Sequence, residues 1–200
     1  MTIMQPTISR RGFVFGISAL GGGLVLGLRP GAALAQPDLD AIAGAPEVTA
    51  WVVIEPDDTT VIRIARSEMG QGIATALAQL VAEELECDWA RVRTEYIGAA
   101  ENLARGKPWG DMVTSNSNSV RNSQEMLRKA GAQARSMLLA EAAGRWGVPV
   151  EECSAKDSLV THAGTGRTLR YGELAEAASR RPVPAEVTLK PPESWRLIGT

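Results

Sequence analysis

Hydrophobic and polar positions divide the chain into short β-like runs and two long helical stripes. Trp51 to Ile54 and Thr60 to Ile64 are rich in β-branched residues. Pro56-Asp57-Asp58 supplies turn chemistry between them, which predicts a β-hairpin. Ile73, Leu77, Leu80, Val81 and Leu85 then recur at the spacing of one buried helix face. Thr75, Glu83 and Glu86 fall largely off that face. Asp88-Trp89 ends the helix, and residues 92–97 (VRTEYI) alternate like a strand. Residues 98–118 have no period, and a loop of that length is usually functional or disordered. A second helix is expected from about Ser119 to Trp146, on the recurrence of Val120, Leu127, Ala134, Met137, Leu138 and Trp146. Gly131 inside it costs about 1 kcal/mol relative to Ala, which points to close packing there. A short strand near Leu159–His162 and a small helix, Tyr171 to Ser179, follow. Pro182, Pro184, Pro191 and Pro192 mark an extended exit. The order β-β-α-β-loop-α-β-β-α predicts an α+β fold.

The first 35 residues follow a different logic. Ser9-Arg10-Arg11-Gly12-Phe13-Val14 is a twin-arginine pattern, followed by a weakly hydrophobic segment from Phe13 to Leu28. Ala33-Leu34-Ala35 offers the small residues a signal peptidase reads. The apolar run is broken by Gly21-Gly22-Gly23 and is short for a membrane span of about 20 residues. Residues 1–35 are therefore read as an export signal that directs the chain to the periplasm, with no stable membrane span after cleavage. Residues 36–48 form a leader, and 49–200 the folded domain. That export route carries proteins already folded, often with a cofactor in place.

Composition narrows the function by exclusion. The 200 residues carry a net charge of -2, which leaves no electrostatic footprint for nucleic acid. Without the three arginines of the signal, 18 basic residues face 23 acidic ones. Cys87 and Cys153 lie in no CxxC motif, so neither a metal nor a redox motif is indicated. They could pair in an oxidising compartment or sit as small buried residues. His162, the one histidine, falls in an expected strand and reads as structural.

Two polar turns, each feeding a helix, carry the candidate chemistry. The first is 67–72 (SEMGQG). Gly70 and Gly72 permit positive φ and close backbone approach to a ligand. The N–H groups at the helix start favour an anion such as a phosphate. Gln71 offers both a donor and an acceptor, suited to a heterocycle edge. A plain helix start accounts for these residues equally well, because G-x-G alone is not a nucleotide fingerprint. The second turn is 114–119 (TSNSNS), six small hydrogen-bonding residues that cap a helix or grip a polar ligand. Only the fold can unite the two.

EMGQG, the amphipathic helix after it, LVAEELECDWARV, TSNSNSVRNS, RWGVPVEEC, YGELAEAA and WRLIG together resemble the xanthine oxidase family of molybdenum hydroxylases. Within it they look like the large subunits of the isoquinoline 1-oxidoreductase and periplasmic aldehyde dehydrogenase type. The likeness runs from about Trp51 to Thr200. It implies that Met69, Gly70, Gln71 and Gly72 contact a molybdopterin. It also implies that Thr114, Ser115, Asn116, Ser117 and Ser119 bind the dinucleotide part of molybdopterin cytosine dinucleotide. The implied reaction is hydroxylation of an isoquinoline-like N-heterocycle or an aldehyde, with water as the oxygen source. Electrons would pass to [2Fe–2S] clusters on a small partner subunit, since this chain has no four-cysteine site, and a cytochrome c is a candidate acceptor.

The chain departs from that pattern in three ways. Bulky Trp109 and Met112 stand in the loop before the second turn, where relatives are richer in glycine. Arg170 precedes YGE where Ser or Thr would complete a capping box with Glu173, so that helix is expected to be slightly weaker. The family's second cofactor half, with its GGFG turn, and its late catalytic glutamate have no counterpart among these 200 residues. No catalytic residue is therefore assigned, and Glu68 is not made a base by the likeness. The isolated chain is expected to be inactive. The alternative reading is a non-catalytic exported pterin-binding module or remnant.

Overall fold

The computed structural model describes residues 46–199. The twin-arginine pattern and most of the leader lie outside the described residues. The predicted hairpin is present and gains a strand on each side. β1 (Glu47–Thr49), β2 (Val52–Ile54), β3 (Thr60–Ile64) and β4 (Val92–Tyr96) form one sheet in that order. β1 to β3 are antiparallel neighbours, whereas β3 and β4 run parallel, with Thr60 opposite Val92 and Ile64 opposite Tyr96. A parallel pair needs a crossover connection, and α1 (Ile73–Leu85) provides it. A second, antiparallel sheet holds β5 (Cys153–Lys156), β6 (Leu159–His162) and β7 (Thr168–Arg170). The α+β expectation therefore holds, with helices α2 (Ala99–Ala104), α3 (Ser119–Trp146) and α4 (Tyr171–Ala178) completing the domain.

The core joins Ile54, Ile62 and Ile64 of the sheet to Leu77 and Leu85 of α1. Leu127 and Leu138 of α3 and Tyr171 and Leu174 of α4 close it from the helical side. Each such side chain contributes about 1.5–3 kcal/mol on burial, far more than the tenths separating helix propensities. Gly131 lies where α3 crosses α1. A Cβ there would sit 2.4 Å from the carbonyl oxygen of Val81, so the two backbones approach as only glycine allows.

Several local expectations change. Glu47 and Val48, read as leader, belong to β1, because two residues are too few to show a strand period. The aperiodic stretch 98–118 contains α2, a helix too short for a readable stripe. Glu83 is 1% exposed rather than off the core face. Its carboxylate accepts the Lys190 ammonium and the backbone N–H groups of Arg196, Leu197 and Ile198. Burial pushes the Glu83 carboxyl up, but these donors hold it below the ordinary carboxylate value. Adjacent Glu84, also buried, pairs with Arg128 at 2.7 Å.

The α4 start corrects another expectation. Glu173 accepts the Arg170 N–H at 2.8 Å, half of a capping box. The other half comes from across the fold, where Asp58 Oδ1 accepts the Gly172 N–H at 2.8 Å. Asp58 Oδ2 also takes the Arg170 guanidinium at 2.8 Å. An arginine side chain cannot accept a hydrogen bond, so a hairpin carboxylate does what a local Ser would do. Cys87 and Cys153 are both free, and burial pushes the Cys87 thiol up to about 12. His162 is buried in β6, its ring nitrogens bonded to Thr165 and Glu152 at 2.8 Å each.

Candidate functional site

Both polar turns leave the carboxyl-terminal edge of the parallel β3–β4 pair. Residues 65–72 follow β3 directly. Residues 97–118 follow β4, beginning where the Ile97 N–H bonds the Ile64 carbonyl at 3.2 Å. The sequence separates the turns by more than forty residues, and the parallel pairing brings them together. Their first direct contact is the Ser67 N–H donating to Thr114 Oγ1 at 2.8 Å.

The first turn is held by its own side chains. Glu68 accepts the N–H groups of Gly70, Gly72 and Ala74 at 2.7, 3.0 and 3.0 Å. The Ala74 and Gly72 N–H groups are the main cause of a Glu68 carboxyl held below its ordinary value. The expectation of free N–H groups awaiting a phosphate at α1 is therefore not met, because a local carboxylate already takes that end. An acid two and four residues before the glycines is the sequence signal for it. Gly70 and Gly72 have φ of 89° and 77°, a region L side chains avoid. A Cβ on either would meet no atom within 4 Å, so the backbone there faces open space.

Gln71 is fixed at both ends of its amide. Its Oε1 accepts the Met69 N–H at 2.5 Å, and its Nε2 donates to the Ser67 carbonyl at 2.9 Å. An amide has two acceptor positions and two N–H donors. One of each remains for a ligand, on a side chain whose position is already set.

The second turn depends on distant supports. Asn116 and Ser117 sit at φ of 52° and 53°, and the Asn118 N–H returns to the Ser115 carbonyl at 3.1 Å. Two consecutive positive φ values mark a type I′-like turn, with the strain that accumulates at functional sites. Trp109 anchors the segment leading into it. Its ring is fully buried, and Nε1 donates to the Ala50 carbonyl at 2.8 Å. Asn102 accepts the Trp109 N–H and donates to the Gly110 carbonyl. The Arg105 and Arg63 guanidiniums lie 4.7 and 5.8 Å from the indole centre, within cation–π range. Trp109 and Met112 pack against the core and leave the space between the turns clear.

That space is an open cleft of about 440 Å³. From the first turn it is lined by Met69, Gln71 and Gly72. From the second it is lined by Thr114, Ser115, Asn116, Ser117 and Ser119. Eight of the nine expected site residues thus share one cavity; Gly70 does not line it, and its N–H is bonded to Glu68. Sequence reasoning misses the apolar part, Ile73, Ala76 and Val120. Helical spacing assigns Val120 to the core, but it is 40% exposed and faces this cleft. Apolar walls with a few placed polar groups suit a flat heterocycle carrying polar substituents.

Comparison with known proteins places the chain in a family. Residues 11–197 match the molybdopterin cofactor-binding domain family. The chain is 37% identical over 204 residues to a membrane-bound aldehyde dehydrogenase [pyrroloquinoline-quinone] of Gluconacetobacter polyoxogenes, covering 98% of this chain and 25% of that protein. It is 36% identical over 169 residues to the isoquinoline 1-oxidoreductase beta chain of Brevundimonas diminuta, covering 84% and 22%. It is 32% identical over 154 residues to a nicotinate dehydrogenase subunit of Pseudomonas putida, covering 76% and 12%. The chain spans a quarter or less of the length of these curated relatives. With the match extending over nearly the whole domain that builds the cleft, the chain belongs to the molybdopterin cofactor-binding domain family.

Proposed function

We propose that this chain is the N-terminal cofactor-binding module of a longer molybdenum hydroxylase large subunit, exported to the periplasm by the twin-arginine route. The observation that carries the reading is the single cleft shared by the two turns. Open space over Gly72, a half-free Gln71 amide and apolar walls fit a pterin held edge-on by polar groups and sandwiched by apolar ones. Met69, Gln71 and Gly72 would hold the pterin, with Gly70 shaping the turn. Thr114, Ser115, Asn116, Ser117 and Ser119 would hold the cytosine dinucleotide portion.

When bound, the molybdenum centre supplies oxidative hydroxylation of an N-heterocycle or aldehyde, with water as the oxygen source. The protein's part here is placement. Glu68 keeps the first turn closed, so Gln71 presents its free donor and acceptor without reorganising. Trp109 keeps the second turn within reach of the first. A small [2Fe–2S] subunit would receive the electrons and pass them to an acceptor such as a cytochrome c.

Gln71→Ala in the complete large subunit should lower molybdenum and pterin content while circular dichroism stays unchanged. Metal analysis and pterin fluorescence of the purified protein read this directly. Full molybdenum occupancy in the variant would sink the proposed contact. Wild-type protein that carries a quinone and no molybdenum would favour the cofactor named for the Gluconacetobacter relative instead.

A further inference from the structure

A second, smaller cleft of about 250 Å³ lies on the other flank of the second turn. Arg66, Asp111, Val113, Ser115, Asn118 and Asn122 line it. Ser115 lines both clefts, so the two adjoin across that turn. Arg66 follows β3 directly, ahead of the first turn. Its Nη1 donates to the carbonyls of Ala65 and Asp111. Its Nε is buried and has no acceptor among the described residues. A buried donor left unmade costs about 1–3 kcal/mol, which a ligand acceptor would recover.

Asp111 also lines the cleft, but its exposed carboxylate is turned to Lys107, 3.9 Å away. No carboxylate pairs with Arg66 among the described residues. The helix start beside it, α3, has no side-chain cap and no acid in its first turn, which instead carries Arg121. A cation there opposes the helix dipole. The α1 start, by contrast, already holds the Glu68 carboxylate. Of the two turns, the second is the one that lacks a negative charge.

We propose that the Arg66 cleft, with the Asn118 and Asn122 amides, binds a phosphate group of the pterin cofactor. This rests on the cofactor reading above. A guanidinium gives two parallel donors to phosphate oxygens, and the neighbouring amides supply further donors. The cofactor's flat rings would then lie in the larger cleft and one phosphate would reach into the smaller, with Ser115 between them.

The test titrates the 200-residue chain with inorganic pyrophosphate at low salt and follows backbone amide NMR shifts. Saturable shifts confined to residues 65–67 and 111–122 are expected, weakened by added salt. Arg66→Gln should weaken binding at least tenfold, Asn122→Ala less, and Arg66→Lys should recover part of the loss. Unchanged affinity in Arg66→Gln, or no saturable shift in the wild type, overturns the proposal. If Arg66→Gln fails to fold, Asn122→Ala, an exposed position, decides: unchanged affinity there overturns it. A second arm repeats the titration on the cofactor-loaded, full-length large subunit. Loss of the pyrophosphate response assigns the cleft to the cofactor, and a persisting response overturns that assignment in favour of free phosphate. Failure of the cofactor reading is seen separately, as wild-type protein that holds neither molybdenum nor pterin.

Discussion

The two turns that form the cleft solve the same problem by opposite means. The first, 67–72, is nearly self-sufficient. Glu68 satisfies three backbone donors within six residues, Gln71 bridges Met69 and Ser67, and glycines take both positive φ values. The second, 114–119, places Asn116 and Ser117 at positive φ without glycine and has no cap. It is held by Trp109, by Arg66 and by Thr114, all reaching other parts of the fold. A locally satisfied turn is set by its own sequence. A remotely supported one is only as ordered as its supports, and it keeps unspent donors for a ligand.

The contrast can be broken most severely at Trp109. Trp109→Ala should cost about 3–5 kcal/mol and show as a lower Tm. Hydrogen exchange should quicken in residues 110–118 and leave 67–72 protected. Equal loss of protection in both turns would mean they order as one unit. Gly72→Ala should cost about 1–2 kcal/mol, since Ala must adopt the left-handed region, although no atom blocks its Cβ. Denaturant midpoints read that difference. Ser117→Gly should move the other way and stabilise by a few tenths to about 1 kcal/mol, sharpening the view that the second turn is strained. A destabilised Ser117→Gly would show that the serine hydroxyl matters more than its backbone.

The smallest effect is a pH dependence at Glu68. Its folded carboxyl titrates below the ordinary value of 4.5. Its contribution is thus fully present above pH 4.5 and is lost as pH falls through the folded value. From near-neutral pH down to the acid limb, the Tm of the wild type should fall more steeply than that of Glu68→Ala. Parallel curves would show that the three hydrogen bonds contribute little to stability.

Legibility in the sequence follows the same divide. The β3 run, the α1 stripe and the ends of α3 are all readable, because each is set by neighbours within a turn or two. The site residues are readable as two motifs, but their union is not, since it depends on the parallel β3–β4 register. Local periodicity misplaces Glu83 because its partners lie more than 100 residues away. It misplaces Val120 because a helical stripe does not distinguish a core wall from a cleft wall. The Asp58 cap on α4 is likewise invisible to a local rule, as it joins positions over 110 apart.

The buried carboxylate of Glu83 also fastens the cleft helix to the far end of the domain. Its donors, the Lys190 ammonium and the N–H groups of residues 196–198, are among the last parts of this domain to be synthesised. An unpaired buried ion costs several kcal/mol. A change in residues 190–198 that leaves Glu83 covered but removes these donors would strand that charge on α1. The exit segment, remote from the cleft in sequence, thus acts as a clasp on the helix that shapes it.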